Sequence, residues 1–142
     1  MAKVEKSIVI TATPGEVWEK VNDPNEWHTW FEGISKATSV TGDGGPGTVV
    51  EQRITINKIP LPSKVTITQC DPGVCWKGEF VGPMNKGYMQ WDYMDMGRRT
   101  RLTFTIEAEL SGPAKLGEKL VVSSFEQMAD QTLTNVKQMA EG

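Results

Sequence analysis

"VEKSIVITATPGEVWEKVNDPNEWHTWFEGI", residues 4–34, changes its hydrophobic period partway along. Val4, Ile8 and Ile10 alternate against Lys3, Glu5 and Ser7, the period of two that marks a half-buried strand over residues 4–12. The alternation then stops. Thr13-Pro14-Gly15-Glu16 offers a capping hydroxyl, a proline at the first helical position and a carboxylate at the third, and Asp23-Pro24-Asn25-Glu26 repeats the pattern ten residues later. Two short consecutive helices are expected. The first buries Val17, Trp18 and Val21, the second Trp27, Trp30 and Phe31, with Gly33 as the stop.

Beyond this opening, residues 34–110 read as strands at 35–40, 48–56, 63–70, 74–81, 86–94 and 100–110, with turns at 42–47, 57–62, 71–73, 82–85 and 95–99. That makes six antiparallel strands here and seven in all. The last is the clearest: Leu102, Phe104, Ile106, Ala108 and Leu110 alternate with Thr103, Thr105, Glu107 and Glu109. After Ser111-Gly112-Pro113, residues 114–141 place Val121, Phe125, Met128, Ala129, Val136 and Ala140 near one stripe, a helix about 40 Å long. The class is α+β.

The chain has 142 residues, 38% hydrophobic and 23% charged, which suits a single domain spanning 1–142. Its 15 basic residues are scattered among 18 acidic ones for a net charge of −3, so no footprint for nucleic acid or an anionic membrane is visible. The first residues lack a signal-peptide core, and no stretch approaches the roughly 20 apolar residues that span a bilayer. A cytoplasmic protein is expected. Cys70 and Cys75 flank the turn DPGV and could face each other across a hairpin; in a reducing compartment free thiols are the expected state.

The glycine-rich run GDGGPGT, residues 42–48, raises the question of phosphate binding. A Walker-type loop needs a lysine after its last glycine and a helix whose amides meet the anion. Here Thr48 and the β-patterned VVEQRITI follow instead, so the run reads as a turn between the second and third strands.

Taken in order, VEKSIVITATPGEVWEKVNDPNEWHTWFEGI, GDGGPGT at 42–48 and TLTNVKQMAE at 132–141 resemble the START-like (SRPBCC) superfamily, with its polyketide cyclase/dehydrase and lipid-transport group and its relation in fold to the major birch-pollen allergen. The resemblance spans nearly the whole chain. It implies a helix-grip fold in which a seven-stranded curved antiparallel sheet, accompanied by two short helices, grips a long C-terminal helix. It also implies a cavity between sheet and that helix for a small hydrophobic ligand such as a lipid, polyketide or ring compound.

Strand parity nominates the residues facing that interior. Gln52, Ile54 and Ile56 share one face, as do Trp76 and Phe80, Met89, Trp91 and Tyr93, and Phe104 and Ile106; Phe125 and Met128 face them from the helix. A dry, filled core explains each of these singly; together they also fit the lining of an apolar pocket. Gln52 and Tyr93 are its polar candidates, while Gln90 and Asp92 fall on the opposite parity unless a bulge at Gly87 reverses them.

No acid–base couple can be placed in this interior, so catalytic residues remain unassigned. A polyketide cyclase/dehydrase-type enzyme, with Tyr93 or Gln52 orienting a carbonyl, and a protein-interaction module like the chaperone-activator branch of the superfamily are the alternatives that the resemblance keeps open. His28 is the sole histidine and the two cysteines add little, so neither metal nor cofactor is expected. GRRTR, residues 97–101, reads as a solvated basic turn, or as an anion contact at the cavity mouth.

Overall fold

Residues Ala2–Ile10 form β1 in the computed structural model, which describes residues 2–83 and 85–142. The caps then act as their residue types require. Thr13 Oγ1 accepts the Glu16 N–H at 3.3 Å while the Glu16 carboxylate accepts the Thr13 N–H at 3.2 Å, a reciprocal box that starts helix α1, Pro14–Val21. Such a cap stabilises a helix by about 1 kcal/mol.

The Asp23 carboxylate likewise accepts the Asn25 N–H at 3.0 Å, but the element it opens, Pro24–Thr29, is a 3-10 helix rather than an α-helix. The tighter winding has a packing reason. Three residues per turn bring side chains three apart onto one side, so Trp27 and Trp30 both enter the core.

The remaining strands are β2 (Ser39–Thr41), β3 (Val49–Ile56), β4 (Ile59–Asp71), β5 (Cys75–Val81), β6 (Asn85–Asp95) and β7 (Thr100–Leu110). They form one antiparallel sheet in the order β1-β7-β6-β5-β4-β3-β2. All neighbours are hairpin partners save one: β1 joins the last strand, with Val4 opposite Ile106 and Ile8 opposite Leu102. Helix α2 (Pro113–Leu116) and, after Gly117, helix α3 (Glu118–Glu141) complete the chain.

Several features differ from the sequence expectation, beginning with β1, which runs over Ala2–Ile10 rather than 4–12. The turn expected at 57–62 contains only Asn57 and Lys58, both with positive φ, and Ile59–Pro62 extends β4. Two prolines fit in that strand because Pro60 and Pro62 lie opposite Thr55 and Arg53, which bond the other way: the Thr55 N–H to the Gly33 carbonyl at 2.7 Å and the Arg53 carbonyl to the Ser35 N–H at 2.9 Å. On its far side this stretch runs past the end of β5, whose pairing stops at Val81 opposite Lys64, so no ladder partner misses the proline N–H.

The second strand is shorter than 35–40. It is regular only over Ser39–Thr41, and Ile34 makes an isolated bridge to Ile54. The long helix is interrupted at Gly117, leaving α3 with 24 residues, about 36 Å. Met84, in the expected turn 82–85, lies outside the described residues.

Finally, the sheet carries its bulge at Thr68, not at Gly87: pairing with β5 shifts between Ile67 and Gln69. Past that point Cys70, opposite Trp76, takes the inward parity that an unbroken strand would give Gln69.

The concave face has two covers. Helix α3 lies along β1, burying Phe125 at 0 % exposure against a sheet whose Phe104 and Ile106 are also at 0 %. Alpha-helix α1 and the 3-10 helix cover the middle strands, where Trp27 meets Trp76 edge-on at 5.3 Å and Trp18 meets Tyr93 at 5.8 Å.

Candidate functional site

All twelve residues nominated for the interior do turn inward: Gln52, Ile54, Ile56, Trp76, Phe80, Met89, Trp91, Phe104, Ile106, Phe125 and Met128 are buried, and Tyr93 is half-buried. Among the described residues they enclose no large empty space between the sheet and α3. Phe125 and Met128 pack into the core, and the α3–β3 seam opens only as a surface groove running from Lys58 and Ser124 past Gly33 to Met128.

The internal void lies instead beneath α1 and the 3-10 helix. It measures about 20 Å³, enough for one water molecule, which needs roughly 10–15 Å³. Trp76, Met89, Trp91 and Tyr93 form its floor; Trp18, Val21, Asn22, Trp27, Trp30, Phe31 and Ile34 form its walls and roof, the Asn22 amide donating to the Trp18 carbonyl at 2.9 Å. Four nominated residues therefore meet at the void, seven build the hydrophobic core around it, and Gln52 lies apart. The tryptophans of the opening segment were legible as a buried helix face; nothing in their spacing marked them as a roof.

Aromatic edges and faces fill this region. Trp91 lies 4.4 Å from Phe104 between centroids, Phe31 stands edge-on to both Trp91 at 5.9 Å and Phe104 at 5.5 Å, and Trp30 is edge-on to Trp91 at 5.8 Å. Such pairs add about 0.5–1.5 kcal/mol each beyond the area they bury. The segment carrying Trp30 and Phe31 is tied to α3 by two hydrogen bonds: the Glu32 N–H donates to Thr132 Oγ1 at 3.0 Å, and the Asn135 amide donates to the Trp30 carbonyl at 3.0 Å.

Within this apolar enclosure one polar group has no partner. Trp30 is 6 % exposed, and its indole Nε1 is buried without a hydrogen bond among the described residues. A buried orphaned donor costs about 1–3 kcal/mol, so an acceptor brought within hydrogen-bond reach of it would recover that loss. Tyr93 is the one ionisable side chain in the described lining. Burial, followed by the charges that the neighbouring Cys70 and Cys75 would carry, pushes its phenol well above the ordinary range and keeps it a neutral donor. Gln52 is also buried with an unpartnered Oε1, but it sits at a separate groove with Ser63 and Gly82.

The two thiols are free and do not pair; Cys75 lies opposite Asp71 and Cys70 opposite Trp76. Burial and then a hydrogen bond to Asp92 push the Cys75 thiol up to about 11, and burial with Asp71 and Asp43 raises that of Cys70. His28 Nδ1 is buried, outside the void, without a partner among the described residues. No group of three or more potential ligands able to hold a metal ion occurs among the described residues.

The glycine run contributes no anion cradle. The Gly44 N–H donates to Thr48 Oγ1 at 2.9 Å, that of Gly45 to Asp43 at 2.9 Å, that of Gly47 to the Ile67 carbonyl at 2.8 Å and that of Thr48 to the Gly45 carbonyl at 3.1 Å. Those loop amides are spent internally, and the loop borders α1 as a β2–β3 turn.

A family model described as polyketide cyclase / dehydrase and lipid transport matches residues 1–141. No curated protein sequence matches. Among solved structures, the Zhui aromatase/cyclase from Streptomyces sp. R1128 superposes with a TM-score of 0.82 at 17% identity over 98% of this chain and 93% of that one. A START superfamily protein from Mycobacterium smegmatis gives 0.73 at 17% identity, covering 98% and 99%. Ara h 8.0201 gives 0.74 at 15% identity, covering 97% and 96%. At these identities the likeness concerns the fold. No helix among the described residues is long and apolar enough to cross a membrane.

Proposed function

Because this chain belongs to the polyketide cyclase/dehydrase and lipid transport family, we propose that it binds a small hydrophobic molecule beneath α1 and the 3-10 helix, with an oxygen of that molecule accepting from Trp30. The observation that carries this reading is the buried indole N–H of Trp30, unpartnered among the described residues, on one of the aromatic residues that wall the void. Rings and lipids supply the apolar surface such walls favour, and a carbonyl or hydroxyl oxygen supplies the missing acceptor. A void of about 20 Å³ admits no such molecule at rest. Binding therefore requires the α1 and 3-10 cover to move outward, and the ligand replaces ring–ring contacts with its own.

A cyclase or dehydrase would need an acid–base pair to move protons in this space. Tyr93 alone is ionisable in the described lining, and burial favours its neutral form, which suits orienting a carbonyl better than abstracting a proton. Binding or transport is accordingly the first reading.

The test is a titration with fatty acids, ring ketones and phenols, each beside its hydrocarbon analogue, followed by tryptophan fluorescence and thermal shift. An oxygen-bearing compound is expected to bind, and Trp30→Phe, which keeps a ring but removes the N–H, to weaken it by about tenfold, equivalent to about 1.4 kcal/mol. The hydrocarbon analogue should bind both proteins equally. A panel that shifts neither signal overturns the reading.

A further inference from the structure

The turns that close the void's end of the sheet carry an apolar lip beside arginine. Val74, Met94 and Met96 are 60%, 58% and 39% exposed. The register brings all three to the same end of the sheet. The Tyr93 N–H donates to the Val74 carbonyl at 2.9 Å, Met94 lies opposite Arg101, and the Met96 N–H donates to the Arg99 carbonyl at 2.9 Å. The β4–β5 and β6–β7 turns thus stand side by side, and Tyr93, next to Met94 in the chain, walls the void from within.

Arg98, Arg99 and Arg101 are all exposed here, and none forms a salt bridge among the described residues. The neighbouring carboxylates keep their charge while Asp95 accepts the Gly97 N–H at 2.9 Å, Asp92 the Gln90 amide at 3.1 Å and Asp71 the Gln69 amide at 2.8 Å, but residues 95–101 themselves set three arginines against Asp95 alone. The basic turn GRRTR thus stands at this tip.

We infer that this tip docks onto the surface of an anionic phospholipid bilayer, Val74 and the two thioethers entering the acyl boundary while the arginines meet lipid phosphates. Unbranched, flexible methionine adapts to a fluid boundary, and the guanidinium fork matches phosphate oxygens. A second copy of the chain suits the patch less well, because a two-fold contact would set these arginines against their own equivalents. The surface needs no occupied cavity, so it stands or falls apart from the ligand reading.

The experiment is sedimentation of the protein with phosphatidylcholine vesicles made with and without phosphatidylserine, at low and high salt. Binding is expected only with phosphatidylserine and should fade with salt. Arg98→Gln with Arg99→Gln should weaken it about fivefold per arginine, and Met94→Ser with Met96→Ser should weaken it without changing the salt dependence. Both pairs are exposed, so thermal midpoints should hold. Lys115→Gln with Lys119→Gln, beyond the opposite end of β7, should leave binding intact. Absence of binding to phosphatidylserine vesicles at low salt overturns the inference, as does binding that survives both the arginine and methionine pairs. Self-association that those pairs abolish, without vesicle binding, would assign the tip to a second copy instead and also overturn it.

Discussion

The indole ring of Trp76 lies over Gly78: a Cβ at residue 78 would stand 2.6 Å from the ring's Cη2 and 2.9 Å from Val65 Cγ1. The ring cannot swing aside cheaply, because Trp27 packs on it edge-on at 5.3 Å. Gly78→Ala should therefore destabilise the protein by about 1–3 kcal/mol, the usual range for overpacking. Trp76→Phe in the same chain should recover part of that loss, since the smaller ring vacates the space. Denaturant midpoints of the two single variants and the double variant measure the coupling. Strict additivity would mean that the ring moves freely and does not hold the floor of the void.

The β3–β4 turn holds a residue in an unfavourable conformation. Asn57 and Lys58 adopt φ of 51° and 68°, the left-handed pair that a two-residue hairpin turn requires. Asparagine tolerates this; lysine pays about 1–2 kcal/mol for it. Glycine at 58 removes that strain but adds about 0.4–1 kcal/mol of unfolded-chain entropy. The balance predicts that Lys58→Gly stabilises the fold by about 0.5–1 kcal/mol, readable as a higher urea midpoint at unchanged slope. A lower midpoint would show that the lysine side chain contributes more than its backbone costs.

This turn also marks where the sequence stops being legible. Period-two alternation located the core of each strand and the inward parity of Trp91, Tyr93 and Phe104, because one-sided burial writes itself into every second residue. It could not reveal that Pro60 and Pro62 are tolerated in β4, since that depends on where β5 ends beside them. Nor could it reveal the bulge that turns Cys70 inward, a register event between two strands. The site was obscured for a related reason. Trp18, Trp27 and Trp30 were readable as buried faces of short helices, but whether they roof a void or fill one depends on how two covers divide the concave sheet between them.

Cys75 should be almost inert in the folded protein. With its thiol pushed up to about 11 by burial and by Asp92, the thiolate fraction at pH 8 is about one in a thousand. Alkylation of the native protein with iodoacetamide should be slow at both cysteines, burial being the leading cause at Cys70 as well. It should become fast at both in denaturant. Rapid native labelling of Cys75, resolved by peptide mass spectrometry, would show that the start of β5 opens far more often than its packing suggests.

The end of α3 is clasped to the end of β1 by one carboxylate and one ammonium. Lys137 Nζ donates to the Val9 carbonyl at 2.8 Å and to Glu141 Oε2 at 2.6 Å, and that same oxygen accepts the Thr11 N–H at 2.7 Å. The hydrogen bond from Lys137, then that from the Thr11 backbone, lowers the Glu141 pKa from its ordinary 4.5. A depressed folded-state pKa means that the clasp contributes fully above the unfolded value and is lost as pH falls through the folded one. Glu141→Gln should thus have a lower thermal midpoint than the parent near neutral pH. The gap should begin to close once pH drops below 4.5, and vanish where Glu141 itself is protonated. Added salt should narrow the gap at neutral pH, because the pair is surface-exposed and screened. A gap that stayed constant through the acid range would mean that the carboxamide loses only a pH-independent contact, and that the charge on Glu141 does not tie the helix to the strand.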